Sequence, residues 1–401
     1  MSKRNGLPQS WKMSTIEDAC SLVTDGTHNS PTVQDQGPFL YITSKNIRPF
    51  RLDLSTAGHV TRDVHAAIHR ACPVEFGDVL FVKDGANTGN AAVNTLKEPF
   101  SLLSSVALLK PKKDTLEPVY LVHWLNCDEG YRCMTQNMSG SAIRRLVLNE
   151  IRTRRFPLPP LPEQRRIAAI LEKADAIRRK REESIHLTEE VQRSTFLDMF
   201  GDPATHAVKP LADLAEVVSG VTKGRKLNGR AITVPYLRVA NVQDGFLNLD
   251  EIKTIEALPN EVESLSLKDG DIVMTEGGDH DKLGRGAIWN ASIPNCIHQN
   301  HVFRVRVDRQ SLLPSYFAAF LRTSQAKRYF LRCAKKTTNL ASINMTQLRG
   351  LPVPVPSIAL QRKFEDAAKA INRIADRRKQ ALSEAVSLFG SLVQRAFRGE
   401  L

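Results

Sequence analysis

The sequence predicts an α+β protein in which two similar strand-rich domains are separated by a long antiparallel pair of coiled-coil helices, an internal repeat with pseudo-twofold symmetry. Three observations carry that expectation. The proline-punctuated run PLPPLPEQRRIAAILEKADAIRRKR, starting at Pro157, passes into an amphipathic stretch and returns as PVPVPSIALQRKFEDAAKAINRIADRRK from Pro352. Gln361 follows Gln164 by 197 residues, and Ala174/Ile371, Ile177/Ile374 and Arg181/Arg378 then fall in step. Upstream, FLYITSKNI lies over VPYLRVANV, matching Tyr41 to Tyr236 and Asn46 to Asn241 at a spacing of 195. A repeat this long is a duplicated two-part unit rather than a solenoid. Its parts run 1–157, 158–201, 202–354 and 355–401.

Within each domain the runs FLYITSKNI, GDVLFV, VALLKP, ITVPYLRVANV, GDIVMT and NHVFRVRV are β-branched or aromatic and close on Gly, Asp, Asn or Pro, which reads as strands. LEPVYLVHWLNCDEGYRCM and LLPSYFAAFLRTSQAKRYFLRC place apolar residues at helical spacing after a Pro, predicting one helix late in each domain. The two long helical runs follow. Ile167, Ile170, Ala174 and Ile177, resuming at Val191, form one apolar seam; Phe364, Ala367, Ile371, Ile374, Ala381, Ala385, Leu388 and Leu392 form the other. Pro162 suits a first turn, Ser357 an N-cap, and Gly201 and Gly399 supply stops. At ~1.5 Å per residue each rod is roughly 55 Å long. The economical burial of both seams is against each other, antiparallel, which puts the domains at opposite ends in inverted orientation.

Composition narrows the partner. Of 401 residues, 42% are apolar, enough for two or three cored units, and Lys+Arg exceed Asp+Glu by 56 to 43. A formal charge of +13 favours a polyanion such as nucleic acid over an acidic small substrate. The six cysteines form no C-x-x-C pair, and no apolar run approaches eighteen residues, so reduced thiols, a cytoplasmic location and no membrane partner are expected. Basic twin domains on a rigid spacer suit two separated half-sites on double-stranded DNA, and because the copies have diverged the half-sites should differ.

FPLPPLPEQRRIAAIL with its echo LPVPVPSIALQRKF, VPYLRVANV, GDIVMTEGG, VTDGTHNSP and MSGSAIRRLVLNEI together give the chain a resemblance, over nearly its whole length, to the DNA specificity subunits of type I restriction–modification systems. The resemblance implies two target-recognition domains and no catalysis in this subunit. It implies assembly with two methyltransferase subunits, which use S-adenosylmethionine on adenine, and with ATP-dependent restriction subunits. S-adenosylmethionine, ATP and Mg2+ would then belong to the partners, with no cofactor in this chain. The second copy departs from the pattern, having Ala359-Leu360-Gln361 where the first has Pro162-Glu163-Gln164.

The residues themselves agree with a passive reader. The sequence holds no Asn/Asp-Pro-Pro-aromatic turn, and SGVTKGRK at Ser219 lacks the spacing and the hydroxyl of a phosphate loop. A rival reading, a self-contained metal-dependent nuclease, would use Asp244, Glu251 and Lys253; another is a twin-domain protein–protein scaffold. Cys296, His298 and His301 are ligand types without an evident fourth ligand. Groups able to hold phosphates or read base edges in the first domain are Thr27, His28, Lys45, Asn46, Arg48, Lys83, Asn87, Thr88, Asn90, Arg144 and Arg145. In the second they are Lys223, Arg225, Lys226, Arg238, Asn241, His280, Lys282, Arg285, Lys335 and Lys336. Asn46 and Asn241 equally suit turns that satisfy their own backbone. Pro162, Glu163, Gln164, Arg178, Arg179 and Gln361 are the candidate partner contacts, with a solvated helix face as the other reading of Arg178 and Arg179.

Overall fold

The computed structural model describes residues 3–4, 7–136, 138, 145–201, 206–278, 283–336 and 341–401. The chain divides into two compact units, Met1–Glu182 with Gln380–Leu401, and Glu183–Lys379. Each therefore contains one globular part and a stretch of both long helices.

The first unit is built on a four-stranded antiparallel sheet, in spatial order Ala91–Val93, Val79–Val82, Val106–Pro111 and Cys20–Asp25. The central strands are buried on both faces, as their unbroken runs Val-Leu-Phe-Val and Val-Ala-Leu-Leu require. A second sheet centres on Phe39–Ile42, parallel to Phe100–Leu102 and antiparallel to Gly58–Val60. A two-stranded ribbon joins Lys12–Thr15 to Arg155–Leu158, so the proline run leaves the domain as a paired strand.

The second unit repeats all three elements. Its four-stranded sheet runs Gly286–Ile288, Ile272–Thr275, Val302–Val307, Ala215–Ser219. Ile232–Leu237 is flanked by a parallel Ile297–His298 and an antiparallel Lys253–Ala257, and Ala207–Pro210 pairs with Pro352–Val355. The duplication extends to glycines. Gly89 and Gly284 both have positive φ, and a Cβ at either would strike an aromatic ring, of Tyr131 and of Phe330 respectively.

The single helix expected over each late apolar run is corrected to two. Pro118–Asn126 ends at Cys127, whose sulfur then caps Asp128–Thr135 by accepting the Gly130 N–H; Pro314–Leu321 is followed by Ser324–Cys333, capped by the Thr323 hydroxyl. Each break is an N-cap inside an otherwise periodic apolar run.

The long helices span Leu161–Phe200 and Ile358–Phe397. Gly201 and Gly399, both at positive φ, end them. Within each unit the local stretches pair antiparallel. In the first, Arg166 donates to the Leu401 carbonyl at 2.7 Å while the Arg178 guanidinium lies 5.9 Å from the Phe389 ring centre. In the second, Arg378 donates to Ser184 O and to the Thr188 hydroxyl, while Phe364 meets Phe196 and Phe200 at 5.3 and 5.5 Å.

The apolar seam expected from spacing holds near the helix starts, where Ile167, Ala174 and Phe364 are buried, and fails farther along. Ile177, Val191, Ile374 and Leu388 are between 43% and 54% exposed. The buried positions include Gln164, Ala168, Leu171, Asp175, Thr188, Phe196 and Phe200 on one helix, and Gln361, Phe364, Ala368, Ala396 and Phe397 on the other. The reason is geometric. A straight helix has 3.6 residues per turn, so a fixed stripe drifts around a long rod, and the buried line here follows the globular parts near the ends and polar pairs between them. Phe364, fully buried among aromatic rings, should therefore lose about 3–5 kcal/mol of stability as Phe364→Ala, whereas Ile374→Ala at an exposed position should cost under about 1 kcal/mol. Urea unfolding of the two variants checks this.

Candidate nucleic-acid interface

In the first unit the residues singled out from sequence largely converge. Asp25, at the end of a central-sheet strand, lies 3.3 Å from His28 Nε2 and 3.3 Å from Lys83 Nζ. Lys83 is also 3.4 Å from Asp84, whose carboxylate is 3.6 Å from Arg145 Nε, and Asp84 and Arg145 form a backbone bridge. The same loop carries Asn87, which donates to Ser44 O at 2.9 Å and lies within 3.5 Å of Arg48, and Asn90, which donates to Ile47 O. Loops 25–30, 44–48 and 83–90 and the Arg145 segment are thus sewn into one surface. His28, Lys45 and Arg145 stand on it in solvent.

Three expected readers in this unit face inward and are corrected. Lys83 is buried between two carboxylates, because an ammonium taken out of water requires paired charge. Asn46 is buried as a brace: its carbonyl oxygen accepts the Thr43 N–H at 2.9 Å and its amide donates to Asp53 O at 3.0 Å. Thr88 is buried with its hydroxyl on Gly85 O. Thr27 is half-buried, its hydroxyl engaged with Asn29. Arg144 lies outside the described residues.

In the second unit Asn241 repeats the Asn46 brace, accepting the Arg238 N–H at 2.9 Å and donating to Asn248 O and Glu251 O, and is corrected for the same reason. Arg238 pairs with Glu251 at 3.0 Å, Arg225 with Glu261, and Arg285 with the Gln243 side chain at 3.1 Å. Lys223 and Lys226 remain exposed on the turn that Arg225 fastens. Lys335–Lys336 forms a strand against Ala341–Ser342, itself paired with Gly277–Gly278. His280 and Lys282 lie outside the described residues. Sequence reasoning missed Asp25, Asp84 and Gln243, the groups that aim the cations; only their proximity in the fold reveals them.

The helix entries hold a second correction. Gln164 and Gln361, expected at a partner surface, are fully buried. Gln164 donates to Thr115 O at 2.9 Å and Pro159 O at 2.8 Å and accepts the Glu117 N–H at 2.9 Å. Gln361 donates to Ser311 O at 3.1 Å and Pro356 O at 2.9 Å and accepts the Leu313 N–H at 2.8 Å. Beside them Tyr120 and Tyr316 donate to Pro157 O and Pro354 O at 2.8 and 2.9 Å. Pro162 is exposed and Glu163 sits 3.7 Å from Arg166. Arg178 and Arg179 both reach the buried Asp175, at 2.6 and 3.0 Å.

The family profile described as "Type I restriction modification DNA specificity domain" matches residues 8–187. The chain is 21% identical to the EcoKI specificity subunit of Escherichia coli K12, over 98% of this chain and 90% of that one. It is 23% identical to the StySPI specificity subunit of Salmonella potsdam, over 99% and 90%. In fold it resembles a type I restriction–modification S subunit from M. genitalium, with a TM-score of 0.56 at 14% identity over 99% of this chain and 98% of that one. A chain from a structure concerned with complex assembly and conformational transition of the type I R-M system gives 0.59 at 17% identity, over 98% and 99%.

Over nearly its whole length the chain is similar to type I DNA specificity subunits.

The acidic residues near Asp244 have a structural explanation. Asp244 pairs with Arg322 and Lys327, and Glu251 with Arg238 and Lys253, which hold its carboxyl below the ordinary range. Among the described residues no group of three His, Cys, Asp or Glu could hold a metal ion. His298 is buried with Nδ1 on Val302 O at 2.6 Å, and His301 turns instead to Glu276. Burial pushes the Cys296 thiol up to about 12 and Cys127 to about 11, so neither is a thiolate at neutral pH.

Two outcomes test this chemistry. Lys83→Met leaves Asp25 and Asp84 without their buried cation and should cost about 3 kcal/mol, part of it recovered in Lys83→Met/Asp25→Asn, as read by urea unfolding. Burial lowers the His298 pKa to about 4, so the unfolded imidazole takes up a proton near its ordinary pKa while the folded one does not. The contribution is intact above pH ~6.5 and is lost as pH falls toward 4, on the order of 2 kcal/mol by pH ~4.5. His298→Asn, which keeps a donor for Val302 O, should flatten that part of the stability–pH curve.

Proposed function

We infer that the chain reads a bipartite, asymmetric DNA target, one half-site per unit, and holds two methyltransferase subunits and the restriction subunits upon it. The observation that carries this reading is the duplicated frame with dissimilar loops. The same two sheets and the same ribbon recur, yet the candidate groups that are exposed among the described residues are His28, Lys45 and Arg145 in one unit and Lys223 and Lys226 in the other. Phosphate contacts set register and side chains at groove edges read bases, so different loops on one frame give different half-sites. Thr27, Arg48, Asn87 and Asn90 in the first unit and Arg225, Arg238 and Arg285 in the second flank those groups, with their orientation set by the pairs described above.

The chain itself performs no chemistry in this reading. S-adenosylmethionine, ATP and Mg2+ serve the partner subunits, and the work is done in the cytoplasm, where the DNA is. No described helix is long and apolar enough to cross a membrane. Exposed Ile177, Leu187, Val191 and Leu197 on the first long helix, and Ile374, Val386 and Leu388 on the second, suit partner subunits. Arg178 is half-buried and Arg179 exposed, and both are tied to the buried Asp175.

Mapping methylated adenines in DNA from cells carrying this chain with its methyltransferase should give a split motif with two unlike halves. Replacing the globular part of one unit should change one half and leave the other. An exchange that alters both halves, or methylation without sequence preference, overturns the reading; the latter would favour a protein–protein scaffold.

A further inference from the structure

The two units share one polar cluster whose geometry is reproduced bond for bond. Each long helix follows a proline-rich strand, and each carries in its first turn a fully buried glutamine, Gln164 or Gln361. The carboxamide spends one donor on the strand's own exit, at Pro159 O or Pro356 O. Its other donor goes to the loop before a domain helix, at Thr115 O or Ser311 O, and its oxygen takes the N-cap N–H of that same helix, at Glu117 or Leu313. Both donors and the acceptor are thus used on three backbone points belonging to two bodies, helix and domain. Tyr120 or Tyr316, on the same domain helix, adds a bond to the strand at Pro157 O or Pro354 O.

We propose that Gln164 and Gln361 are positioning residues that fix the angle at which each globular part leaves its helix, and through that angle the spacer length the protein accepts. The proposal rests on the bipartite reading. On B-DNA one added base pair moves a half-site by about 3.4 Å and turns it by about 35°. A reader free to swivel by that much at its helix entry would follow the displaced half-site and lose discrimination. A planar amide with three fixed partners adds direction to the packing of Ile167, Ala168 and Leu171, or of Phe364 and Ala368, against the domain cores; an apolar side chain of the same size keeps that packing and loses the direction. Two of the carbonyls it uses, at Pro159 and Pro356, belong to prolines with no N–H of their own, and the other two, at Thr115 and Ser311, lie in the loop before the domain helix. The second copy, which lacks the Pro-Glu pair, keeps the glutamine and all three of its bonds.

The test uses the complex assembled with its methyltransferase subunits, on duplexes carrying the mapped target with the spacer at its mapped length or one base pair shorter or longer. Gln164→Met and Gln361→Met keep the volume and remove the bonds. Each should raise methylation of the altered-spacer duplexes, relative to the normal one, by tenfold or more over wild type, with base preferences at both half-sites unchanged. A control, Ile151→Val in the first unit's core, should leave spacer discrimination at the wild-type value even at a matched thermal midpoint. Wild-type spacer discrimination in both glutamine variants, or equal relaxation in the control, overturns the proposal. Should the Met variants fail to assemble, Gln164→Glu, which keeps shape and acceptor but turns an oxygen toward two carbonyls, carries the same two outcomes. Failure of the bipartite reading looks different: no split motif is mapped, or wild type itself ignores the spacer.

Discussion

A carboxamide sealed from water must find every partner inside the protein, and that requirement organises the junctions on which this fold depends. Gln164 and Gln361 meet it entirely with backbone groups, which cannot move without moving the elements they belong to. The prolines before them serve the same end. They hold the strand extended, pair it with Lys12–Thr15 or Ala207–Pro210, and free carbonyls for Tyr120, Tyr316 and the glutamines. A long helix that would otherwise be tethered by a linker is instead continuous with a sheet ribbon of its domain.

The same economy governs the candidate reading surface of the first unit. Its central charge is hidden: Lys83 between Asp25 and Asp84 is a brace whose carboxylates go on to hold His28 and Arg145. Surface cations gain little from isolated pairs, but a partly buried chain of alternating charges is screened less and fixes direction. Exposed groups can then differ between the units while the frame remains. Arg225 with Glu261 and Arg238 with Glu251 play the corresponding part in the second unit, with other residues at other positions.

The duplication, the fold class and the ends of the long helices were legible because they are written in local signals: spacing near 195, Pro162, Gly201 and Gly399. The broken late helices were not, since Cys127 and Thr323 interrupt runs whose apolar spacing continues across the break. Nor was the polar seam, because Asp175, Thr188 and Arg378 look like surface residues until a partner is in place. Among the site residues, type was readable and direction was not. Asn46 and Lys83 have the chemistry of readers and the surroundings of braces, and the carboxylates and carbonyls that decide between the two lie far off in sequence.

Where the two copies differ at one backbone position, the cost of the difference can be followed. Phe50 and Gly245 occupy the same place in the repeat, each with positive φ and each donating its N–H to the matching strand, at Ala91 O and Gly286 O. A non-glycine residue in that region costs on the order of 1 kcal/mol, so the Phe50 ring must return more than that. It does so against His123 and Phe389, at 4.9 and 6.0 Å, tying the turn to the domain helix and to the last long helix within its unit. In the second unit a Cβ on Gly245 would come within 3.2 Å of the Arg322 guanidinium, which sits 3.6 Å from Asp244. One unit spends the position on an aromatic anchor and the other on an ion pair, and the shared backbone turn survives both because its hydrogen bond, rather than its side chain, sets its shape.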